Sequence, residues 1–395
     1  MKLVHCRIKN PSVRIFHRVD EIPEEWDRLL PYKHFLKRST LSLTTEASLP
    51  DIEHLFTAFY EAGKLIGVAY FQILHIRKYH LNTDGAALLQ KAVWRLITSA
   101  MHPRLLVAGH LFHHEIDTFY TPIQAPYESY RIYSSMMDRC MEETCSHALL
   151  IKDLDPELAT YFQNLRPQYI RLPKDISMEM PVDPAWKDIG NYERSLKHKY
   201  AQRFRKIRHQ MKDIEVRSLS VDEIHTNRDR LFDLYRQVAN RQQVRLGYLS
   251  AGYLPMLKKA FDRSFHIWAF YKGGEMVAFF SAWRYNDTFD MYYIGFDYEV
   301  NKTHNLYFNM LFFGLEQAID QRCRRLILGR TALEAKARIG CQPKYLSTFL
   351  FIRNRWLRAW VSTIDPREEG EAWENRHPFL EKNSQVPELS PAPDQ

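Results

Sequence analysis

The sequence predicts an α/β protein of two tandem domains, each a mixed, mostly antiparallel sheet flanked by helices. Three observations predict it. At 395 residues the chain exceeds what one core of ordinary size organises. One half then echoes in the other. Ala58-Phe59-Tyr60-Glu61-Ala62-Gly63-Lys64-Leu65-Ile66 and Ala269-Phe270-Tyr271-Lys272-Gly273-Gly274-Glu275-Met276-Val277 both read as an aromatic strand, a Gly-containing turn and a second apolar strand. A second pair, Arg104 to Gly109 and Arg325 to Gly329, follows in the same order, each after an expected helix (86–101 and 305–321). The offsets, 269−58 = 211 and 329−109 = 220, are close enough to mark an internal duplication. Finally, Pro173, Pro181 and Pro184 break regular structure before a new helical pattern at Tyr192. The expected domains are therefore 1–180 and 181–380, the first a candidate degenerate copy. The polar tail 383–395, with Pro387, Pro391 and Pro393, is expected to be disordered.

Composition narrows the class. The chain is 45% hydrophobic and 26% charged, as soluble globular proteins are. No stretch reaches the roughly 20 apolar residues of a spanning helix. Residues 1–9 carry charge where a secretory leader needs an apolar run. The five cysteines (Cys6, Cys140, Cys145, Cys323, Cys341) are odd in number, scattered and without CxxC spacing, which points to a reducing, cytoplasmic setting and no structural metal. A net charge of +8 and a pI of about 9.1 suit any polyanion: nucleic acid, an anionic membrane surface or a coenzyme's phosphates. The 22 Tyr and 23 Phe fill core or line apolar pockets.

The second half can be read element by element. Leu196, Tyr200, Phe204, Ile207 and Met211 form one helical stripe, with Lys197, Lys199, Arg203, Arg205, Lys206, Arg208 and Lys212 on the other faces. That basic side is either a solvated face or an anion-contacting face over an acceptor groove or membrane; no helix-turn-helix or zinc context supports DNA reading. A helix at about 229–243 leads to strands 265–271 and 276–283 across Gly273-Gly274, a turn at Asn286-Asp287 and a strand at 290–296. A polar loop then precedes an apolar helix (Leu306, Phe308, Met310, Leu311, Phe312, Phe313, Leu315) that must be buried on most sides, with Gly314 admitting another backbone. The helix start offers N–H groups and a positive dipole end to an anion. Lys302, Thr303, His304 and Asn305 add donors, unless Thr303 or Asn305 simply caps. After strand 325–328, Thr331 and Glu334 have capping-box spacing, Lys336 sits on a short helix and a final strand covers 346–352.

Two further segments carry alternatives. His110, His113, His114 and Glu115 follow a strand without HExxH spacing, so they line a cleft between the domains or belong to a degenerate first-domain site, and no metal is expected. Residues 353–360 (Arg-Asn-Arg-Trp-Leu-Arg-Ala-Trp) mix Trp and Arg as interfacial segments do, or pack as an ordinary helix.

This order of elements resembles the Gcn5-related N-acetyltransferase (GNAT) superfamily, and more narrowly its tandem FemAB-like and BioF2-like members. The carriers are the basic 197–212 helix, the Gly273-Gly274 hairpin, Tyr293-Ile294-Gly295-Phe296-Asp297 feeding the 301–305 loop, and the 329–340 segment with Lys336. The resemblance covers 192–355, and the first half only through the repeat. It implies acyl-CoA or acetyl-CoA as co-substrate, no metal, and a primary amine acceptor. The donor's pantetheine would lie along Ile294 and Gly295, and its pyrophosphate at Asn301, Lys302, Thr303 and Asn305. The sequence departs from the family at one point: residues 301–306 contain no glycine where the Gln/Arg-x-x-Gly-x-Gly/Ala loop belongs. Fewer backbone N–H groups then approach a phosphate. Either Lys302 and His304 compensate, or the donor is not a coenzyme A thioester.

Attack of an amine on a thioester needs a proton acceptor, a proton donor for the thiolate and an oxyanion contact. Tyr293 or Tyr298 is the expected donor and Glu299 or His304 the expected acceptor, while Arg203, Arg330 and Lys336 are expected to meet the substrate. The leading expectation is a cytoplasmic acyl-CoA-dependent N-acyltransferase acting on a lipid, sugar or other amphiphilic amine, with peripheral contact to an anionic membrane. The alternatives are a FemAB-like peptidyl transferase using aminoacyl-tRNA, the one nucleic-acid partner considered, and a non-catalytic module that kept the fold.

Overall fold

The computed structural model describes residues 12–32, 34–46, 49–80, 98–99, 102–113, 116–154, 156–172, 176–242, 247–363 and 373–380. The tail 383–395, His114, Glu115 and the helix expected at 86–101 (98–99 apart) lie outside them. The chain forms two compact units, one of Met1–Pro173, Gln243–Tyr248 and Leu346–Pro366, the other of Lys174–Gln242, Leu249–Tyr345 and Arg367–Gln395.

In chain order the strands are β1 (Ser12–Phe16), β2 (Ile52–Glu61), β3 (Lys64–His75), β4 (Arg104–Ala108), β5 (Phe119–Tyr120), β6 (Ala148–Leu154), β7 (Ile170–Leu172), β8 (Ile176–Pro181), β9 (Ile214–Ser218), β10 (Phe265–Lys272), β11 (Glu275–Tyr285), β12 (Thr288–Phe296), β13 (Arg325–Gly329), β14 (Gln342–Tyr345) and β15 (Ser347–Ile352). The helices are α1 (Glu25–Leu29), α2 (Arg38–Glu46), α3 (Pro126–Glu143), α4 (Pro156–Leu165), α5 (Ile189–Ser195), α6 (His198–His209), α7 (Val221–Thr226), α8 (Arg228–Ala239), α9 (Tyr253–Ala260), α10 (Tyr298–His304), α11 (Leu306–Asp320), α12 (Leu333–Ala337) and α13 (Arg355–Thr363).

The two sheets have one plan. The first runs β1-β2-β3-β4-β6-β15-β7 and the second β9-β10-β11-β12-β13-β8-β14. Every neighbouring pair is antiparallel except the fourth and fifth strands, β4–β6 and β12–β13, which are parallel. The hairpin echo is real: Ala62 and Gly63 have φ of 49° and 80°, Gly273 and Gly274 of 56° and 85°, the doubly positive turn that fits strand twist.

The plan corrects three expectations. The second echo joined the wrong strands: β4 pairs with β3 and β6, so its counterpart is β12, and β13 corresponds to β6. Two short apolar strands matched because any buried strand reads alike. The final strand, β15, belongs to the first unit's sheet, between β6 and β7. Reciprocally, β8, which straddles the expected 180/181 boundary, is the sixth strand of the second sheet. A linear division of the chain misses both.

The second unit's main core gathers Phe204 and Ile207 of α6, Leu306, Met310 and Leu315 of α11, and Phe289, Met291 and Phe296 of β12. Gly314 admits a side chain rather than a backbone, since a Cβ there would meet Met291 Sδ at 2.3 Å. On the other side of β12, Gly295 admits α8: a Cβ would lie 2.5 Å from the Tyr235 nitrogen and 2.6 Å from the Leu234 carbonyl carbon.

Candidate active site

Strands β12 and β13 start as neighbours and part. Their parallel pairing covers Thr288–Arg325, Phe289–Leu326 and Asp290–Ile327, while β12 continues to Phe296 and β13 to Gly329. Just past this fork β12 bulges. Ala282 pairs with Met291 and Phe280 with Ile294, so Ser281 alone faces Tyr292 and Tyr293. The fully buried Ser281 hydroxyl closes the bulge: it accepts from the Tyr293 N–H and donates to the Tyr293 carbonyl, both at 3.0 Å. A hydroxyl is the smallest side chain that satisfies both backbone groups at once.

The expected 301–305 loop is helical. Asp297 caps α10, its Oδ1 accepting from the N–H groups of Glu299 (2.8 Å) and Val300 (3.2 Å). Neither Thr303 nor Asn305 caps α11. Asn301 does, accepting from the Tyr307 N–H at 2.9 Å, while Asn305 takes the left-handed conformation (φ 45°) that joins the helices and donates to Gln210 at 2.6 Å. Lys302 is held by both Glu299 oxygens at 2.7 Å. His304 is buried, its Nδ1 2.7 Å from Thr303 Oγ1 and its Nε2 3.2 Å from Asp213. Lys302 and His304 are thus each engaged by a carboxylate, of Glu299 and Asp213 respectively. Glu334, expected in a capping box with Thr331, instead accepts from Arg338 (2.8 Å), Arg376 (2.8 Å) and the Glu374 N–H (3.1 Å). Left-handed Ala332 stands at the α12 cap.

An open pocket at the β12–α10 junction is lined by Gln237 of α8, by Asn240 and Arg241 just after it, and by Asp297, Tyr298 and Glu299. The Arg241 guanidinium lies 3.4 Å from the Tyr298 ring centroid. Burial raises the Tyr298 phenol, and Arg241 offsets part of that. Of the four expected catalytic residues, only Tyr298 and Glu299 share this pocket. Tyr293 lies towards α8, edge-on to Tyr235 at 5.5 Å, and burial beside Tyr235 and Tyr253 pushes its phenol well up. His304 points to Asp213 instead.

The remaining expected contacts are dispersed. Ile294 packs on the main core and Gly295 against α8. Arg203 lies over the Phe308 ring at 4.8 Å, its guanidinium lowered by burial and by Arg338. Lys336 is buried and donates to the Gly329 carbonyl at 3.1 Å, and Arg330 is half-buried just after β13. Sequence reading missed Ser281, Gln237, Asn240, Arg241 and the cap Asp297. Ser281 had a signal, a lone hydroxyl in the apolar run Phe279-Phe280-Ser281-Ala282, and Asp297 had the usual cap position. Arg241 had none, because only the fold brings the end of α8 to the end of β12.

The first unit differs at the matching place. Tyr70 corresponds to Ser281 (281−70 = 211), and opposite it the strand is interrupted: Phe71 pairs with Ala108, Ala69 with Phe119, and residues 109–113 and 116–118 lie off the sheet. His110 and His113 thus follow the strand at the position of the bulge. Tyr70 is stacked between His54 and His110, with ring centroids 5.8 Å away in each case, and its hydroxyl is 2.6 Å from His54 Nδ1. Burial lowers His54 to about 4 and, with His113, Lys152 and His54 nearby, lowers His110 well below its ordinary value. Among the described residues no His, Cys, Asp and Glu cluster could hold a metal ion.

Comparison with known proteins bears on the second unit and on the fold. Residues 194–337 match the family model described as "Acetyltransferase (GNAT) domain". By sequence, no curated protein matches the chain. Among solved structures the fold is similar to that of FemX (10% identity, 89% of this chain and 100% of that one, TM-score 0.50). It is also similar to that of a tandem GNAT protein from the clavulanic acid biosynthesis pathway (9% identity, 87% and 99%, TM-score 0.51). Residues 194–337 thus carry the signature of a GNAT acetyltransferase domain, and the chain as a whole has the fold of tandem GNAT proteins. No helix among the described residues is long and apolar enough to cross a membrane.

Proposed function

We propose that the protein transfers an acyl group from an acyl-CoA thioester to a primary amine of a lipid, sugar or other amphiphilic acceptor, in the second unit. The observation that carries this reading is the fork of β12 and β13 beside the Ser281-locked bulge, inside the GNAT-matching segment. A forked strand pair offers backbone groups to a donor arm that a closed sheet would consume in pairing. In the reaction the amine nitrogen bonds to the acyl carbon, the carbon–sulfur bond breaks, the ammonium loses a proton and the thiolate gains one. Tyr298 and Glu299, which line one pocket, are the candidates for these protons. A phenol raised by burial stays protonated at neutral pH, as a proton donor must.

Coenzyme phosphates would be met by the Arg241 side chain rather than by a helix start, because Asp297 already occupies the first N–H groups of α10. The same capping, with the glycine-free turn, favours a second reading in which the donor is aminoacyl-tRNA. Thermal-shift measurements with coenzyme A, acetyl-CoA, a long-chain acyl-CoA and bulk tRNA separate the two. At about 100 times its dissociation constant a ligand stabilises by about 2.7 kcal/mol. Stabilisation by acyl-CoA that weakens in Arg241→Ala is the expected result. A shift with tRNA alone, fading with salt, selects the second reading, and no shift with any of them overturns both.

A further inference from the structure

Helix α13 leaves Trp356 and Leu357 facing water, with Arg355 beside them and Arg358 turned towards the protein. Asn354 starts it, its Oδ1 accepting from the N–H groups of Trp356 and Leu357 at 2.9 and 3.0 Å. Two arginines hold it on the first unit. Arg353 donates to the Met141 carbonyl at 2.8 Å; Arg358 donates to the Ile352 carbonyl at 2.6 Å and lies over the Phe351 ring at 5.1 Å. On the outer side Trp356 is 73% exposed and Leu357 37%. An indole is among the largest apolar surfaces a side chain offers, so its exposure beside a second apolar residue calls for a cover.

The charge on the helix itself selects the cover. Residues 353–363 hold Arg353, Arg355 and Arg358 and no acid. Among the described residues none of these arginines forms an ion pair, and Arg355 lies over the Trp356 ring at 4.8 Å. Trp beside an uncompensated guanidinium suits the headgroup layer of an anionic bilayer, where the ring lies among glycerol groups and the cation meets phosphate. The net charge of +8 acts in the same direction.

We infer that α13 is a peripheral membrane contact: Trp356 and Leu357 enter the interface of an anionic leaflet, with Arg355 at the lipid phosphates. This inference does not depend on the donor taken by the second unit. The test is flotation of the full-length protein with vesicles of phosphatidylcholine alone and of phosphatidylcholine mixed with phosphatidylglycerol. Trp356→Ser/Leu357→Ser and Arg355→Glu are compared, with circular dichroism confirming that these exposed changes leave the fold intact. The wild-type protein should float with the mixed vesicles and not with the neutral ones. The double variant should lose about tenfold in partitioning, as expected for withdrawing apolar side-chain surface, and Arg355→Glu should lose the anionic preference. No flotation of the wild type, equal flotation with both vesicles, or unchanged flotation of the double variant would each overturn the inference.

Discussion

A methyl group at position 295 would fall 2.5 Å from the Tyr235 nitrogen and 2.6 Å from the Leu234 carbonyl carbon. Both are helix backbone, which cannot turn aside as a side chain can. Gly295→Ala should therefore lower stability by about 1–3 kcal/mol, the usual range for overpacking, read as a fall in the urea midpoint. An unchanged midpoint would mean that α8 does not press on β12. Sequence reading noticed this glycine but gave it to the donor. Glycine in a strand marks close backbone approach of some kind, and only the structure identifies which backbone. Ser281 shows the same limit: its hydroxyl stands out in an apolar run, yet its work depends on where β12 bulges.

At the scale of elements, α12 shows how a wrong local assignment still marks a real constraint. Glu334 has capping-box spacing, but it joins α12 to residues 374–376 instead. Burial alone would raise its carboxyl. The Glu374 N–H and the Arg376 and Arg338 guanidinium groups outweigh that and hold it at about 2, below the ordinary 4.5. A lowered carboxyl adds stability that is fully present above the unfolded-state value and is lost as pH falls through the folded one. Glu334→Gln should therefore lower Tm at pH 7, with the gap to the wild type closing as pH falls from about 4.5 towards 2. A gap independent of pH would show that the carboxylate's charge is not what matters. The α10–α11 junction was misread for a related reason. Asn301 caps α11 from inside the preceding helix, across a left-handed Asn305, a geometry with no fixed spacing in the chain.

Over the whole molecule, the two sheets are interleaved in sequence. β15 is the sixth strand of the first sheet and β8 that of the second. A chain ending at Tyr345 lacks β15, leaving β6 and β7 without the strand that pairs with both. Truncation there should abolish the cooperative unfolding of the first unit and expose the amides of β6 and β7 to rapid hydrogen exchange. Retained protection of those amides would show that the first sheet closes without β15. The units have also diverged at one place. Where the second has a compact bulge closed by Ser281, the first has an interrupted strand after Ala108 and a buried Tyr70 between two imidazoles.

The sequence by itself determined most strands of the second unit, the hairpin echo and the class of fold. Apolar periodicity, paired turn glycines and the helix stripe of Phe204 and Ile207 are imprints of local geometry, repeated every two or 3.6 residues. Only the tertiary structure decided which strand enters which sheet, and which side chains share a pocket. Tyr298 and Arg241 lie far apart in the chain, and β15 leaves its neighbour β14 to join the other sheet. Such pairings arise from the joint burial of distant surfaces and have no short-range signature. The chemistry of the fork is thus announced by its strands, while the residues around it are set by how those strands pack.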